Sequence, residues 1–347
     1  VHDTWPHQNR SDASVETVST IAPGYGQVAL GRGQGGNQMQ AQMHFSGRYG
    51  HAHRDTLSTI VWAKGREMLA DIGYTHTKVR WWANSTISHN LVAIDRQDQG
   101  GRHSDGDLQW FFPQIPAGQS DSTISVAAAK GERSYDNIQD IEMYRRLLAL
   151  IPVSGENAYV VDVFRTRGGS THDWLMHGSA DEDMTVECSV PLAADEGQFA
   201  GQEPPRPYEI CRDVQRGDAD DGALVTLRYV EEPDCGVRLH LPGSEPTELY
   251  LSDVPSVRRA REDGREQDSK AMDYWMPQVA ARRTGEQPFH SVFAAVQEPF
   301  SGRPFIDSVT HLEVSPADEN CVALQVTSGD VTDTIISTLD EKPYPQR

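Results

Sequence analysis

Eleven runs of strand length, either alternating in polarity or rich in β-branched residues, punctuate this chain, and turn residues separate most of them. They fall at 38–45, 57–63, 89–95, 122–129, 143–153, 158–164, 223–230, 237–241, 291–297, 321–327 and 332–338. The stretches with any helical look, 136–140 and 258–267, carry no apolar stripe. A parallel sheet needs crossovers of a dozen or more residues, usually helical, and none is encoded. The pattern predicts a mainly β protein, a large multi-stranded antiparallel β-sandwich over 26–347. Residues 1–25, with Trp5, Pro6 and Pro23-Gly24, look like a lead-in from something upstream. Two stretches, 193–221 and 258–287, are too polar or charged for strands and are expected as surface excursions.

A chain of 347 residues can bury a substantial core without staples. Cys188, Cys211, Cys235 and Cys321 have no C-x-x-C spacing, so neither a zinc ribbon nor a thioredoxin-type site is encoded, and one or two disulfides stay open. The formal charge of -20 argues against a nucleic-acid or anionic-membrane binder, because both need a net basic face. No stretch approaches the roughly 18 apolar residues of a membrane span.

Two glycine- and histidine-rich segments invite chemistry. Gly31-Arg32-Gly33-Gln34-Gly35-Gly36 fits G-x-G-x-x-G, but strand-like alternation follows it where a dinucleotide site needs a helix, so a glycine hairpin is expected. In Gly50-His51-Ala52-His53-Arg54-Asp55, extended backbone would place His51, His53 and Asp55 on one face. Asp71 follows His53 by 18 residues and His89 follows Asp71 by another 18. Neighbouring antiparallel strands could then join His53, Asp71 and His89 as two imidazoles and a carboxylate, a set that zinc accepts. The bland alternative makes Asp71 a turn cap and His89 a satisfied sheet histidine.

The runs Gly50–Ser58, Leu69–Tyr74 and Ser85–Asp95, with Tyr159–Arg165 and Gly168–Gly178 further on, resemble the signature of the heparinase II/III-like polysaccharide lyases. The resemblance spans about residues 26–180. It implies an N-terminal (α/α) toroid, here reduced to its exit segment, followed by the C-terminal β-sandwich, with the substrate cleft between them. It further implies β-elimination on a uronic-acid-containing polysaccharide, of glycosaminoglycan or alginate type, by a secreted or periplasmic protein of bacterial type. By resemblance His53, Asp71 and His89 would hold zinc, while His51 and Tyr74 would be catalytic. Toroid residues, commonly an Asn or His and a Tyr, have no counterpart to map.

A uronate C5 proton is weakly acidic, so such a reaction needs a placed base and a group that neutralises the carboxylate. The segment 48–80 holds six bases (Arg48, Arg54, Lys64, Arg66, Lys78, Arg80) against three acids (Asp55, Glu67, Asp71), a local excess in an acidic chain. Arg48, Arg54 and Arg80 are candidates to grip a carboxylate, and Trp82 of the Trp81-Trp82 pair is a candidate to stack on sugar. Two other classes stay open. One is a non-catalytic carbohydrate-binding sandwich. The other is a 2-His-1-carboxylate Fe(II) oxygenase using His53-Arg54-Asp55 with His103 or His177.

Overall fold

The structure is a computed structural model in which residues 16–45, 53–100, 106–112 and 123–339 are described. It is an antiparallel β protein throughout. All eleven expected runs form strands, within a few residues of the expected ends. The eight-stranded sheet runs in the order Met184–Cys188, Gly222–Tyr229, Cys235–Pro242, His290–Ser301, Ala158–Arg167, Met143–Pro152, Ser125–Lys130 and Asp107–Phe112. A six-stranded sheet comprises Ala193–Ala194, Arg212–Asp218, Glu248–Pro255, Trp275–Thr284, Thr171–His177 and Val92–Ile94. A five-stranded meander takes in Thr20–Ala22, Gln27–Arg32, Met39–His44, Thr59–Ala63 and Arg66–Leu69. The sheet therefore starts before residue 26, since Thr20–Ala22 pairs with Gln27–Ala29.

Ala158–Arg167 shows why these residues make a sheet interior. Val160 and Phe164 join the main core shared by the three large sheets. Tyr159, Val161 and Val163 point the other way, against Ile306, Val322, Leu324 and Val326 of the C-terminal part of the chain. With period-two alternation and both faces covered, the strand reads as a nearly continuous apolar run. The outer face of the six-stranded sheet, with Leu175, Tyr250 and Met276, is covered by Ile72, Val79, Trp82 and Ile87. The loop that carries Asp71 and His89 is thus anchored on a sheet.

The glycine hairpin also forms. Gln27–Arg32 and Met39–His44 pair antiparallel across it, and a Cβ at Gly33 (φ +78) would stand 2.2 Å from the Asn37 carbonyl oxygen. Two expectations need correction. The charged stretch 258–287 contains Trp275–Thr284, which lies inside the six-stranded sheet between Glu248–Pro255 and Thr171–His177. Its sequence hid this because Gln278, Arg282 and Arg283 are buried there with partners, against the usual rule for such residues. Arg212–Asp218 likewise takes strand form within the other excursion. The helix-like stretches are not α-helical, and the described α-helices are single turns at Arg80–Ala83 and Arg206–Glu209. All four cysteines are free.

Candidate metal and catalytic site

His53 and Asp55 sit on an irregular segment between Met39–His44 and Thr59–Ala63, not on the extended strand the alternation suggested. Side chains from the 86–99 region hold it. Thr86 Oγ1 donates to the Arg54 carbonyl (2.9 Å) and accepts from Gln99 N (2.8 Å). The Gln99 amide meets both backbone groups of Thr56, at 2.9 and 3.0 Å. The segment then turns through Leu57, buried with φ +69. That conformation costs a non-glycine residue on the order of 1–3 kcal/mol, and strain of this kind persists only where surroundings over-determine it.

Asp71 leaves the strand Arg66–Leu69 and closes a tight turn, its Oδ1 accepting from Gly73 N at 2.7 Å. Gly73 has φ +70, the left-handed region that glycine enters without penalty. The other oxygen, Oδ2, lies 3.1 Å from His89 Nδ1. This distance suits a hydrogen bond. It also suits two ligands of one tetrahedral ion, whose atoms stand about 3.3 Å apart when each is roughly 2.0–2.2 Å from the metal. The His53 and His89 rings are 5.1 Å apart between centroids.

His53, Asp55 and His89 bring ligand atoms within 4.8 Å of one another. Their His53 Nε2, Asp55 Oδ1 and His89 Nε2 atoms are buried without a hydrogen-bond partner. Native proteins seldom leave such atoms unsatisfied, and a bound ion is one standard reason when they do. The donor set therefore fits a divalent cation. Asp55 Oδ2 lies 3.4 Å from His44 Nδ1, so an alternating chain runs His44, Asp55, His53 and His89, Asp71.

Electrostatics separate the imidazoles. Burial and the neighbouring His89 push His53 down to about 4. Burial pulls His89 the same way, but the Asp71 contact outweighs it and the net shift is upward. The Ala83 carbonyl lies near enough to favour the charged ring, without the geometry of a full hydrogen bond. Burial disfavours the Asp71 anion, yet His89 and His53 hold its carboxyl well below the usual range. Asp55 is lowered too, burial being outweighed by His44.

Tyr74, half-buried, stacks on His53 at 6.0 Å between centroids and 11° between planes. The Arg80 guanidinium lies 4.8 Å over the Tyr74 ring. The structure thus joins His53, Asp71, His89, Tyr74 and Arg80. His51 and Arg48 lie outside the described residues, as does His103. Arg54 is placed close by but is ion-paired with Asp98.

Trp82 needs correction. It is 0% exposed, with Nε1 donating 3.1 Å to the Pro255 carbonyl, so no ring face is open to sugar. Much of the local positive charge is also spent. Arg66 pairs with Glu182 and Glu232, and Lys64 donates to Glu156 and Asn157. His177 cannot serve as a distal iron ligand here, since both ring nitrogens are engaged, with Asn90 and Gln278. Sequence reasoning passed over Asn90, His44 and Gln99. Asp55 was visible two residues after His53, but nothing in the spacing pointed its carboxylate at His89.

Residues 38–240 match the family described as Heparinase II/III-like, C-terminal. An exo-oligoalginate lyase of Saccharophagus degradans is 25% identical over 170 residues, covering 40% of this chain and 22% of that protein. The heparan sulfate lyase HepC of Pedobacter heparinus superposes with a TM-score of 0.59 at 13% identity, over 94% of this chain and 43% of the lyase. A heparinase III gives a TM-score of 0.52 at 13% identity, over 91% of this chain and 42% of that one. Those superpositions speak for the fold, and this chain spans less than half the length of each of these proteins. The family match takes in more than half of the chain and every described residue of the His53–His89 site, and on that ground the chain belongs to the heparinase II/III-like C-terminal family.

Proposed function

We propose that this chain is the β-sandwich part of a polysaccharide lyase that cuts beside a uronate by β-elimination. The observation that carries the reading is the donor cluster of His53, Asp55 and His89, with Asp71 on His89 Nδ1 and Tyr74 and Arg80 beside it. In such a reaction a base takes the C5 proton, the C4–O bond breaks, the electron pair becomes a C4=C5 double bond, and the departing oxygen gains a proton. Arg80 supplies positive charge for the uronate carboxylate; it is exposed, and an aromatic face rather than an acid is its described side-chain contact. Tyr74 and His51 carry the protons, His51 on the strength of its place in the sequence.

In this reading His53, Asp71 and His89 hold one zinc ion, His89 through the Nδ1 that faces Asp71, with the nearby Asp55 carboxylate as a fourth donor. A zinc with four protein ligands serves bracing rather than water activation. Asp71 and His89 must shed the proton they share for the metal to enter. The remaining cleft wall and further catalytic groups belong to an N-terminal toroid, which accords with the relatives' greater length. A location outside the cytoplasm, where such polymers are met, is part of the same proposal.

The test is incubation of the protein, with its toroid, with alginate oligomers and with heparan sulfate. An ultraviolet-absorbing unsaturated product from either one is expected. Binding without any new absorbance would instead favour a carbohydrate-binding sandwich.

A further inference from the structure

We propose that Asn90 is the positioning residue of this site: its side-chain amide sets the separation of Asp71 and His89. The proposal rests on reading those two residues as a functional pair. Asn90 is 1% exposed and follows His89 directly. Its Nδ2 donates to the Ala70 carbonyl (2.9 Å), one residue before Asp71, and to the Thr59 carbonyl (2.8 Å). Its Oδ1 accepts from His177 N (2.7 Å) and His177 Nδ1 (2.9 Å). Both amide protons and both lone pairs are used, so the group has one orientation.

That orientation is itself fixed. Because Oδ1 only accepts, His177 carries its proton on Nδ1 and leaves Nε2 as an acceptor, which Gln278 Nε2 meets at 2.8 Å. Gln278 Nε2 also donates to the Ile87 carbonyl (3.0 Å), two residues before His89. On the main chain, the Asn90 carbonyl accepts from Thr59 N (3.1 Å) and from Arg146 Nη1, which also reaches the Leu57 carbonyl at 2.7 Å. The backbone at 57, 59, 70, 87 and 90 is therefore tied together by Asn90, Gln278 and Arg146. Four of these five points lie within two residues of Asp55, Asp71 or His89.

The experiment compares Asn90→Ala with a control, Tyr159→Phe, which loses a hydrogen bond to Asp333 in another part of the molecule. Zinc affinity is measured by competition, alongside melting temperature. Metal-free protein is examined by proton NMR for the low-field Nδ1 proton of His89. For Asn90→Ala, zinc binding ten- to a hundredfold weaker is expected, the scale typical of groups that orient ligands, together with loss of the His89 signal. The control should keep both whatever its melting temperature. A folded Asn90→Ala protein with unchanged affinity and unchanged signal overturns the proposal. A wild-type chain that binds no zinc, while Asn90→Ala alone loses the signal, supports the clamp and removes the metal. Should Asn90→Ala not fold, His177→Phe takes its place: it removes one donor to Oδ1, and a several-fold weaker affinity is expected. Equal affinity and an unchanged signal there again overturn the proposal.

Discussion

His53, His89, His172 and His177 are all buried or half-buried, yet their neighbours assign them different work. His53 and His89 lie together against the carboxylates of Asp55 and Asp71, the arrangement of a ligand pair. Asp71→Asn and His89→Ala are each expected to cost most of the bound zinc in metal analysis. Asp55→Asn should weaken binding less and open one coordination position to water, visible as a changed spectrum after cobalt substitution. The reverse order would exchange the roles of the two aspartates. Tyr74→Phe keeps the ring on His53 and removes only the hydroxyl. Turnover about two orders of magnitude lower, with zinc content intact, is the expected result for a proton carrier. His172 serves stability instead, bonded to Ser291 and to the Gly168 carbonyl, and burial pushes it down to about 4. An unfolded imidazole titrates near 6.5, so between these values the unfolded chain holds more protons and stability rises with pH. The contribution is whole above about 6.5 and is lost as pH falls through 4, on the order of 3 kcal/mol. His172→Gln should therefore flatten the dependence of melting temperature on pH across that window, and equal slopes would assign the effect elsewhere.

At the scale of elements, the centre of the sandwich is tied by Arg146 and Asp162, both fully enclosed, in a two-pronged pair at 2.8 and 2.6 Å. Asp162 also accepts from Trp174 Nε1 at 3.2 Å. Arg146→Met would strand that carboxylate and is expected to cost about 3–5 kcal/mol in denaturant unfolding. The double variant Arg146→Met/Asp162→Leu should recover most of the stability but not the zinc affinity, because the tie that Arg146 makes between the Leu57 and Asn90 carbonyls is lost in both. Sequence patterning made strands such as Ala158–Arg167 legible, since their burial is carried by apolar side chains. It failed at Trp275–Thr284, where buried Arg282 meets Asp173 across the sheet and Arg283 meets Glu245. Charge neutralised by a partner far away in the chain looks like surface when only neighbours in sequence are visible. The same limit applies to the site. The spacing of His53, Asp71 and His89 was legible, but the amide clamp of Asn90 was not, because three of its four partners are backbone groups that leave no mark on composition.

For the whole molecule, charge sets how an acidic polymer would approach. The chain carries a formal -20, and most of the basic side chains around the site are committed to acids or carbonyls, as Arg54, Arg66 and Lys64 show. On the proposed function a uronate polymer would meet a repulsive field at a distance and, among the described residues of the site, attraction beside Arg80. The two act over different ranges. At 0.01 M salt the screening length is about 30 Å and the net charge dominates, whereas at 0.15 M it is about 8 Å and only local groups are felt. Binding of a uronate oligosaccharide to this chain, followed by calorimetry, is expected to tighten as salt rises from about 0.01 to about 0.15 M, then to weaken towards 1 M as the contact with Arg80 is screened. Arg80→Ala should remove the weakening limb while leaving the low-salt repulsion. Affinity that falls steadily from the lowest salt upward would mean that a basic surface, and not a local contact on an acidic body, governs recognition.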